Sequence, residues 1–208
     1  ARADWEILSD IMRRLGYNAE YSSPAAIMAE IATLTPQYGG ITYSRLEGDG
    51  IQWPCTDLSH PGTKYLHRDE ITRHKGLLVA VEHADAQELP DKEFPLILTT
   101  GRILYHYHTR TMTGRVEGLE ELAPSSFVEI NTDTAEKLGI KDGDTVTVVS
   151  RRGSLTTDAR VTTRIKDGVV FIPFHFAKGN ANILTNTALD PVAQIPELKV
   201  AAVRIEKS

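Results

Sequence analysis

"FVEINTDTAEKLGIKDGDTVTVVSRRG", residues 127 to 153, sets two periodicities side by side. "FVEIN" (127–131) follows a Pro-Ser turn and "DTVTVVS" (144–150) is rich in β-branched residues, so both read as strands. Between them "TDTAEKLGI" reads as a short helix that Asn131 or Thr132 can cap and Gly139 can stop. "KDGD" then suits a tight reversal in which Gly143 adopts a positive φ.

Outward from this stretch, "LLVAVEH" (77–83), "FPLILTT" (94–100), "SLTTDARVT" (154–162), "GVVFIPF" (168–174) and "KVAAVRIE" (199–206) show the same enrichment or alternation. Roughly seven strands with a single clear helix point to a β-barrel or sandwich, because no alternating strand-helix series is present to build a doubly wound sheet. The beginning of the chain is different. Trp5, Leu8, Ile11, Met12 and Leu15 recur at helical spacing, and that helix should end near Gly16. A second helix starts at "SSPAAIMAEIATL", with Ser22 or Ser23 as cap, Pro24 where its missing donor costs nothing, and Ile27, Ile31 and Leu34 as its buried stripe. From Thr35 to about His74 the periodicity fades into a connector. Residues 1 to 70 carry ten acids against six Lys and Arg, while the rest is nearly balanced at eighteen against seventeen, which places a boundary near residues 70 to 75. The expected domains are 1–74 and 75–208. Because Ala1 is followed almost at once by an amphipathic pattern, the chain reads as a piece of a longer polypeptide or a processed one.

Composition sets limits on function. A hydrophobic content of 41% with 25% charged residues is that of a soluble globular chain, and no apolar run approaches the roughly 18–20 residues that span a bilayer. No membrane contact is expected. The net charge of -5 argues against a nucleic-acid binder. Cys55 is the only cysteine, which excludes an internal disulfide and any iron-sulfur cluster held by cysteines of this chain alone, and fits a reducing, cytoplasmic compartment.

Against this acidic total, "TTGRILYHYHTRTMTGR" (99–115) holds three arginines, two histidines and no acid. Gly101 follows a strand, where a backbone can approach a ligand closely. Arg102, Arg110 and Arg115 can each present a planar fork of donors to phosphate oxygens. If "LYHYH" is extended, His106 and His108 share a side with Leu104, and Tyr105 and Tyr107 face the other way. With the threonine hydroxyls this makes a groove for a phosphorylated, ring-bearing ligand. A solvated loop is the plain alternative. His-x-His also suggests a metal, although the next acid after His108 is Glu117. In "PFHFAKGNANILT", Phe174, His175 and Phe176 fit barrel core and Asn180 and Asn182 fit a turn; Lys199 opens the last strand as a solvated charge.

In order along residues 92 to 206, "LTTGRILYHYHTRTMTGR", "FVEINTDTAEKLGIKDGDTVTVVSRRG", "GVVFIPFHF", Asn182, Asp190-Pro191, "PELK" and "AAVRIE" resemble the C-terminal domain of molybdopterin-dependent oxidoreductases. Within that family the likeness is to the formate dehydrogenase catalytic subunit, with periplasmic-type nitrate reductase a near relative. The resemblance implies a mainly β fold, a six-stranded double-psi β-barrel of the aspartate-decarboxylase-like kind, preceded by the helical tail of an α/β cofactor domain. It implies bis(molybdopterin guanine dinucleotide) carrying molybdenum or tungsten, with Gly101, Arg102, His106, His108, Thr109, Arg110, Thr111, Met112, Phe174, Asn182 and Lys199 as contacts. The family's metal-ligating Cys or selenocysteine, its catalytic His and Arg and its iron-sulfur cluster belong to preceding domains. No catalytic or metal-ligating residue is therefore expected here, and Cys55 is in the wrong setting for the ligand. The implied partners are the remaining domains of the catalytic subunit and electron-transfer subunits. Two other readings stay open: a free-standing noncatalytic cofactor-binding subunit of a split enzyme, and a small metal-dependent β-barrel enzyme using His106 and His108.

Overall fold

A computed structural model describes the chain apart from Ala19, Glu70, Thr72 and Ser208. The chain divides into two compact units, Ala1–Ala80 and Val81–Ser208. The expected boundary region includes Glu70 and Thr72, which lie outside the described residues.

The second unit is a closed barrel of six strands: β1 (Leu96–Gly101), β2 (Phe127–Asn131), β3 (Thr145–Ser150), β4 (Ser154–Thr162), β5 (Val169–Pro173) and β6 (Ala201–Lys207). Around the barrel the order is β1-β5-β2-β4-β3-β6, with β6 returning to β1. The pairs β1/β5 and β2/β4 are parallel and the other four antiparallel, the mixed pairing of a double-psi barrel. Alternation decides what lies inside. Along β4, Leu155, Thr157 and Ala159 point inward while Ser154, Thr156 and Asp158 are exposed. The interior is filled by Leu98, Val128, Ile130, Val148, Val170 and Ile172, all fully buried.

Of the seven strands expected from the sequence, "LLVAVEH" is not one. Residues 77–83 have no strand partner among the described residues and are exposed, Leu78 at 97%. A β-branched run becomes a strand only where a neighbour can pair with it, and a closed barrel offers no free edge. The motif at 127–153 forms as expected. The helix Thr132–Leu138 is capped by Asn131, whose Oδ1 accepts from the Asp133 N–H at 2.8 Å. It ends at Gly139 (φ 66°), and Gly143 takes φ 83°. A short helix over Glu117–Leu122 was not legible in the sequence.

Arg151 and Arg152, at the turn between β3 and β4, fasten the segment that leads into β1. Both pair with Glu88, Arg151 also holds Asp91, and Arg152 donates through Nη2 to the Leu184 carbonyl at 2.8 Å. These ties set where β1 starts, and so where it ends.

In the first unit, helix α1 spans Asp4–Arg14 and α2 spans Pro24–Leu34, with Gly16 at φ 83° and Ser23 accepting from the Ala26 N–H at 3.2 Å. The barrel unit's two helices are α3 (Glu117–Leu122) and α4 (Thr132–Leu138). The expected buried stripe of α2 is not buried: Ile31 and Leu34 are exposed and Ile27 is half-buried, because no described residue of this unit covers that side. The connector is more ordered than its fading periodicity suggests. Cys55 is fully buried, and the Arg45 guanidinium donates to the carbonyls of Gly40, Asp57 and His60, gathering three turns about one cation. A side chain at Gly40 would place its Cβ 2.0 Å from the Asp57 oxygen, so this approach needs glycine.

Burial in the barrel yields a direct test. Ile130→Ala should cost about 2–5 kcal/mol and lower the urea midpoint, whereas Ser154→Ala, on the exposed face of β4, should stay within about 0.5 kcal/mol. Equal losses at the two positions would show that interior packing does not set the barrel's stability.

Candidate functional site

Strand register brings distant residues to one rim of the barrel. β1 and β5 are parallel with Gly101 beside Pro173, and β6 runs antiparallel with Ala201 beside Leu98. The ends of β1 and β5 and the start of β6 therefore lie together, which gathers Gly101, Arg102, Phe174 and Lys199. Lys199 precedes β6 rather than opening it, and its ammonium donates to the Thr100 carbonyl. The Thr100 hydroxyl in turn donates to the Leu198 carbonyl at 2.8 Å. Asn182 sits in a helical turn, Ala181–Ile183, against the β3–β4 turn: a Cβ on Gly153 would lie 2.5 Å from Ile183. Since Ser150 at the end of β3 pairs with Val203, that turn is on the same rim.

The loop after β1 is not extended. It proceeds through turns in which His108 (φ 46°) and Arg110 (φ 63°) take left-handed backbone conformations. This overturns the expectation that His106 and His108 share a side: His106 is 4% exposed and His108 is exposed. Gly101 makes the exit possible, because a Cβ there would lie 2.7 Å from the Phe171 ring.

Two buried imidazoles form the floor. His106 Nε2 donates to the Ala123 carbonyl at 2.7 Å, and its Nδ1 shares a hydrogen bond with the Thr113 hydroxyl at 3.1 Å. His175, 1% exposed, accepts the Ile103 N–H at Nε2 (2.9 Å) and lies with Nδ1 2.5 Å from the His108 carbonyl. A carbonyl can only accept, so Nδ1 carries the proton and the imidazole is neutral. Burial holds His175 below the ordinary histidine range; the nearby His106, Arg102 and Arg110 push the same way, and the bond to His108 opposes them.

The arginines divide by direction. Arg110, whose side chain is 19% exposed, pairs with Glu120 of α3 and lies 4.5 Å over the Phe176 ring. Its Nε is buried without a hydrogen-bond partner among the described residues. The loop has no acid in sequence, yet the fold supplies one. Arg102 is exposed, with its guanidinium carbon 5.4 Å over Phe174, and no carboxylate among the described residues pairs with it. It opens onto a cavity of about 530 Å³ that Arg160, Arg164 and one carboxylate, Glu129, also line. Arg115 is exposed at the end of the loop. Thr109 and Thr111 are exposed and hydrogen-bonded to each other at 3.2 Å, and Met112 is exposed. The Asn182 side chain is exposed, with no partner among the described residues.

Gly101, Arg102, Phe174 and Lys199 thus lie together at one rim, with Thr109, Thr111 and Asn182 exposed on neighbouring turns, while His106 and Arg110 turn inward and support the loop. This donor set fits an anionic ligand with a planar ring: a guanidinium, an ammonium, an amide and hydroxyls, with no carboxylate paired to Arg102. His106 and His108 do not converge, and no group of three His, Cys, Asp or Glu side chains among the described residues could hold an ion. Sequence reading missed Glu120 and passed over His175 as barrel core. The one available signal was the position of His175 directly after a strand.

Comparison with known proteins follows the same boundaries. Residues 96–202 match the family described as "Molydopterin dinucleotide binding domain". Over its whole length the chain is 52% identical to the F420-dependent formate dehydrogenase subunit alpha of Methanocaldococcus jannaschii, covering 31% of that protein. It is 36% identical to formate dehydrogenase H of Escherichia coli (99% of this chain, 30% of that protein). The assimilatory nitrate reductase catalytic subunit of Bacillus subtilis is also 36% identical (99% and 31%). The chain therefore spans about a third of the length of the curated relatives it matches. Among solved structures it resembles acetylene hydratase from Pelobacter acetylenicus with a TM-score of 0.67 at 14% identity, covering all of this chain and 33% of the other, a likeness of fold. With more than half of its residues inside the family match, the chain belongs to the molydopterin dinucleotide binding domain family.

Proposed function

We propose that this chain is the C-terminal, cofactor-clamping portion of a formate dehydrogenase-type oxidoreductase that interconverts formate and carbon dioxide. The observation that carries this reading is the 52% identity with a formate dehydrogenase subunit over an alignment that covers the whole chain. The ligand is bis(molybdopterin guanine dinucleotide) with molybdenum or tungsten, and when bound it supplies the redox chemistry. The chain's own residues bind and orient. Arg102 and Lys199 meet phosphate charge, Thr109, Thr111 and Asn182 donate to polar edges, Phe174 offers a ring face, and Gly101 lets the backbone approach. His108 and Met112 complete the exposed side of the loop. The barrel portion begins near residue 75, and residues 1–74 are the tail of a preceding α/β cofactor domain.

The metal ligand, the iron-sulfur cluster and the electron-transfer subunits belong to the rest of a cytoplasmic enzyme. Three relatives with F420-dependent activity, at 46–52% identity, favour F420 as the terminal acceptor. A nitrate reductase-type parent is the second reading, supported by 36% identity over nearly the whole chain. A noncatalytic subunit of a split enzyme would keep the same rim. Purified full-length protein decides among these: pterin, molybdenum or tungsten, and formate oxidation are expected, and nitrate reduction without formate oxidation would transfer the assignment.

Two substitutions test the rim. Arg102→Ala should lower pterin retained per polypeptide about tenfold or more after dialysis at 0.5 M salt, since a charge-assisted bond contributes about 1.5–3 kcal/mol. Retention equal to the unmodified protein would remove Arg102 from the ligand. Glu120→Ala leaves the Arg110 charge without its partner, so amide exchange across residues 102–123 should quicken, by an amount corresponding to about 1–2 kcal/mol at this partly exposed pair. The β2 and β5 amides should not change.

A further inference from the structure

Ile103 and His108 lie at the two ends of the turn that leaves β1, and a single side chain spans them. His175 accepts the Ile103 N–H and donates to the His108 carbonyl, at 2.9 and 2.5 Å. It is 1% exposed and follows β5 by two residues, so its backbone is fixed by the barrel rather than by the loop. Its ring lies 6.0 Å from His106 and 4.8 Å from Phe174, between the buried floor of the loop and the aromatic face of the rim. His108 is non-glycine at φ 46°, a conformation that an unconstrained loop would leave.

We propose that His175 is the positioning residue of the cofactor loop: a neutral, two-sided clasp that fixes the 102–108 turn so that Arg102 and His108 face the ligand. This rests on the cofactor reading above, although the clasp itself is a property of the chain alone. A protonated imidazole has no acceptor, so it must release the Ile103 N–H. The titratable and charged groups that surround it are Arg102, Arg110 and His106, with Glu120 already paired to Arg110. They offer a second positive charge no partner. The neutral form is therefore the one that closes the loop. Because its pKa is lowered in the folded protein, the clasp is fully formed above the ordinary histidine value of about 6.5 and is lost as pH falls below that toward the group's own lower value.

The test uses the full-length protein, with amide exchange at Ile103 and pterin content as separate readouts. In the unmodified protein, Ile103 protection and pterin retention should hold at pH 7.5 and both decline below about pH 6.5, while core amides such as Val170 stay protected. His175→Phe keeps the ring and removes both bonds; Ile103 protection should fall about tenfold, with pterin loss at every pH. His175→Gln restores an acceptor that does not titrate, so protection should return in part and the pH dependence should vanish. Side-chain nitrogen spectra should show the Nδ1–H tautomer. Unchanged Ile103 protection in His175→Phe, a pH-dependent His175→Gln, or an Nε2–H tautomer would each overturn the clasp. Should His175→Phe fail to fold, the pH series of the other two proteins decides. A full-length protein without pterin would sink the functional reading, and the exchange and tautomer readouts would still decide the clasp.

Discussion

The antiparallel ladder between β1 and β6, which joins Leu96 to Val203 and Leu98 to Ala201, closes the barrel, and the geometry of the rim descends from it. Such a contact between distant parts of the chain is costly in chain entropy before anything is gained. Burial of the barrel interior offsets that cost. Closure also removes the exposed strand edges that an open six-stranded sheet would leave. With β6 in place, Lys199 lies beside Thr100, and the parallel pairing of β5 sets Phe174 and His175 beside Gly101. Without that ladder the rim residues would be scattered on separate loops.

The rim shows how a fold distributes a cluster of cations. Arg102 and Arg110 are eight positions apart in a stretch without acids, and both looked equally suited to phosphate. In the folded chain Arg110 is turned toward Glu120 and Phe176 and becomes part of the loop's internal structure. Among the described residues Arg102 has no carboxylate partner, and its guanidinium lies over the Phe174 ring. Partial burial makes the inward pair stronger than a surface ion pair, and equally makes it harmful to break. The loop is held from below by hydrogen-bonded imidazoles and the Arg110–Glu120 pair, and Arg102 is exposed above.

Much of the barrel was legible because its signals are local. Asn131, Gly139 and Gly143 each announce a cap, a stop or a turn by residue type, and the alternation in "SLTTDARVT" identifies the inward face of β4. "LLVAVEH" carried the same propensity but lacked a partner, which no local signal reports. The turns at His108 and Arg110 were hidden because glycine, the usual marker of a left-handed backbone, is absent there. Glu120 was hidden for a different reason. Its importance lies in a contact made by the fold of α3 back onto the loop, and ten residues of sequence separate the partners. The same holds for His175, whose hydrogen bonds reach across 67 and 72 positions.

On the proposed reading, the rim lets one barrel serve enzymes of different reaction. Its exposed groups include donors and a ring face, suited to phosphate and to a heterocycle. A formate dehydrogenase and a nitrate reductase are equally similar to the chain at 36% identity, as expected if what they share is the grip on a ligand. The geometry that a grip needs is shape held firmly with few internal charges left unmatched. His106 and His175 meet that need by hydrogen-bonding with both ring nitrogens while buried, and Arg110 meets it by pairing with Glu120. Those buried supports, together with the barrel strands, fix the geometry of the loop.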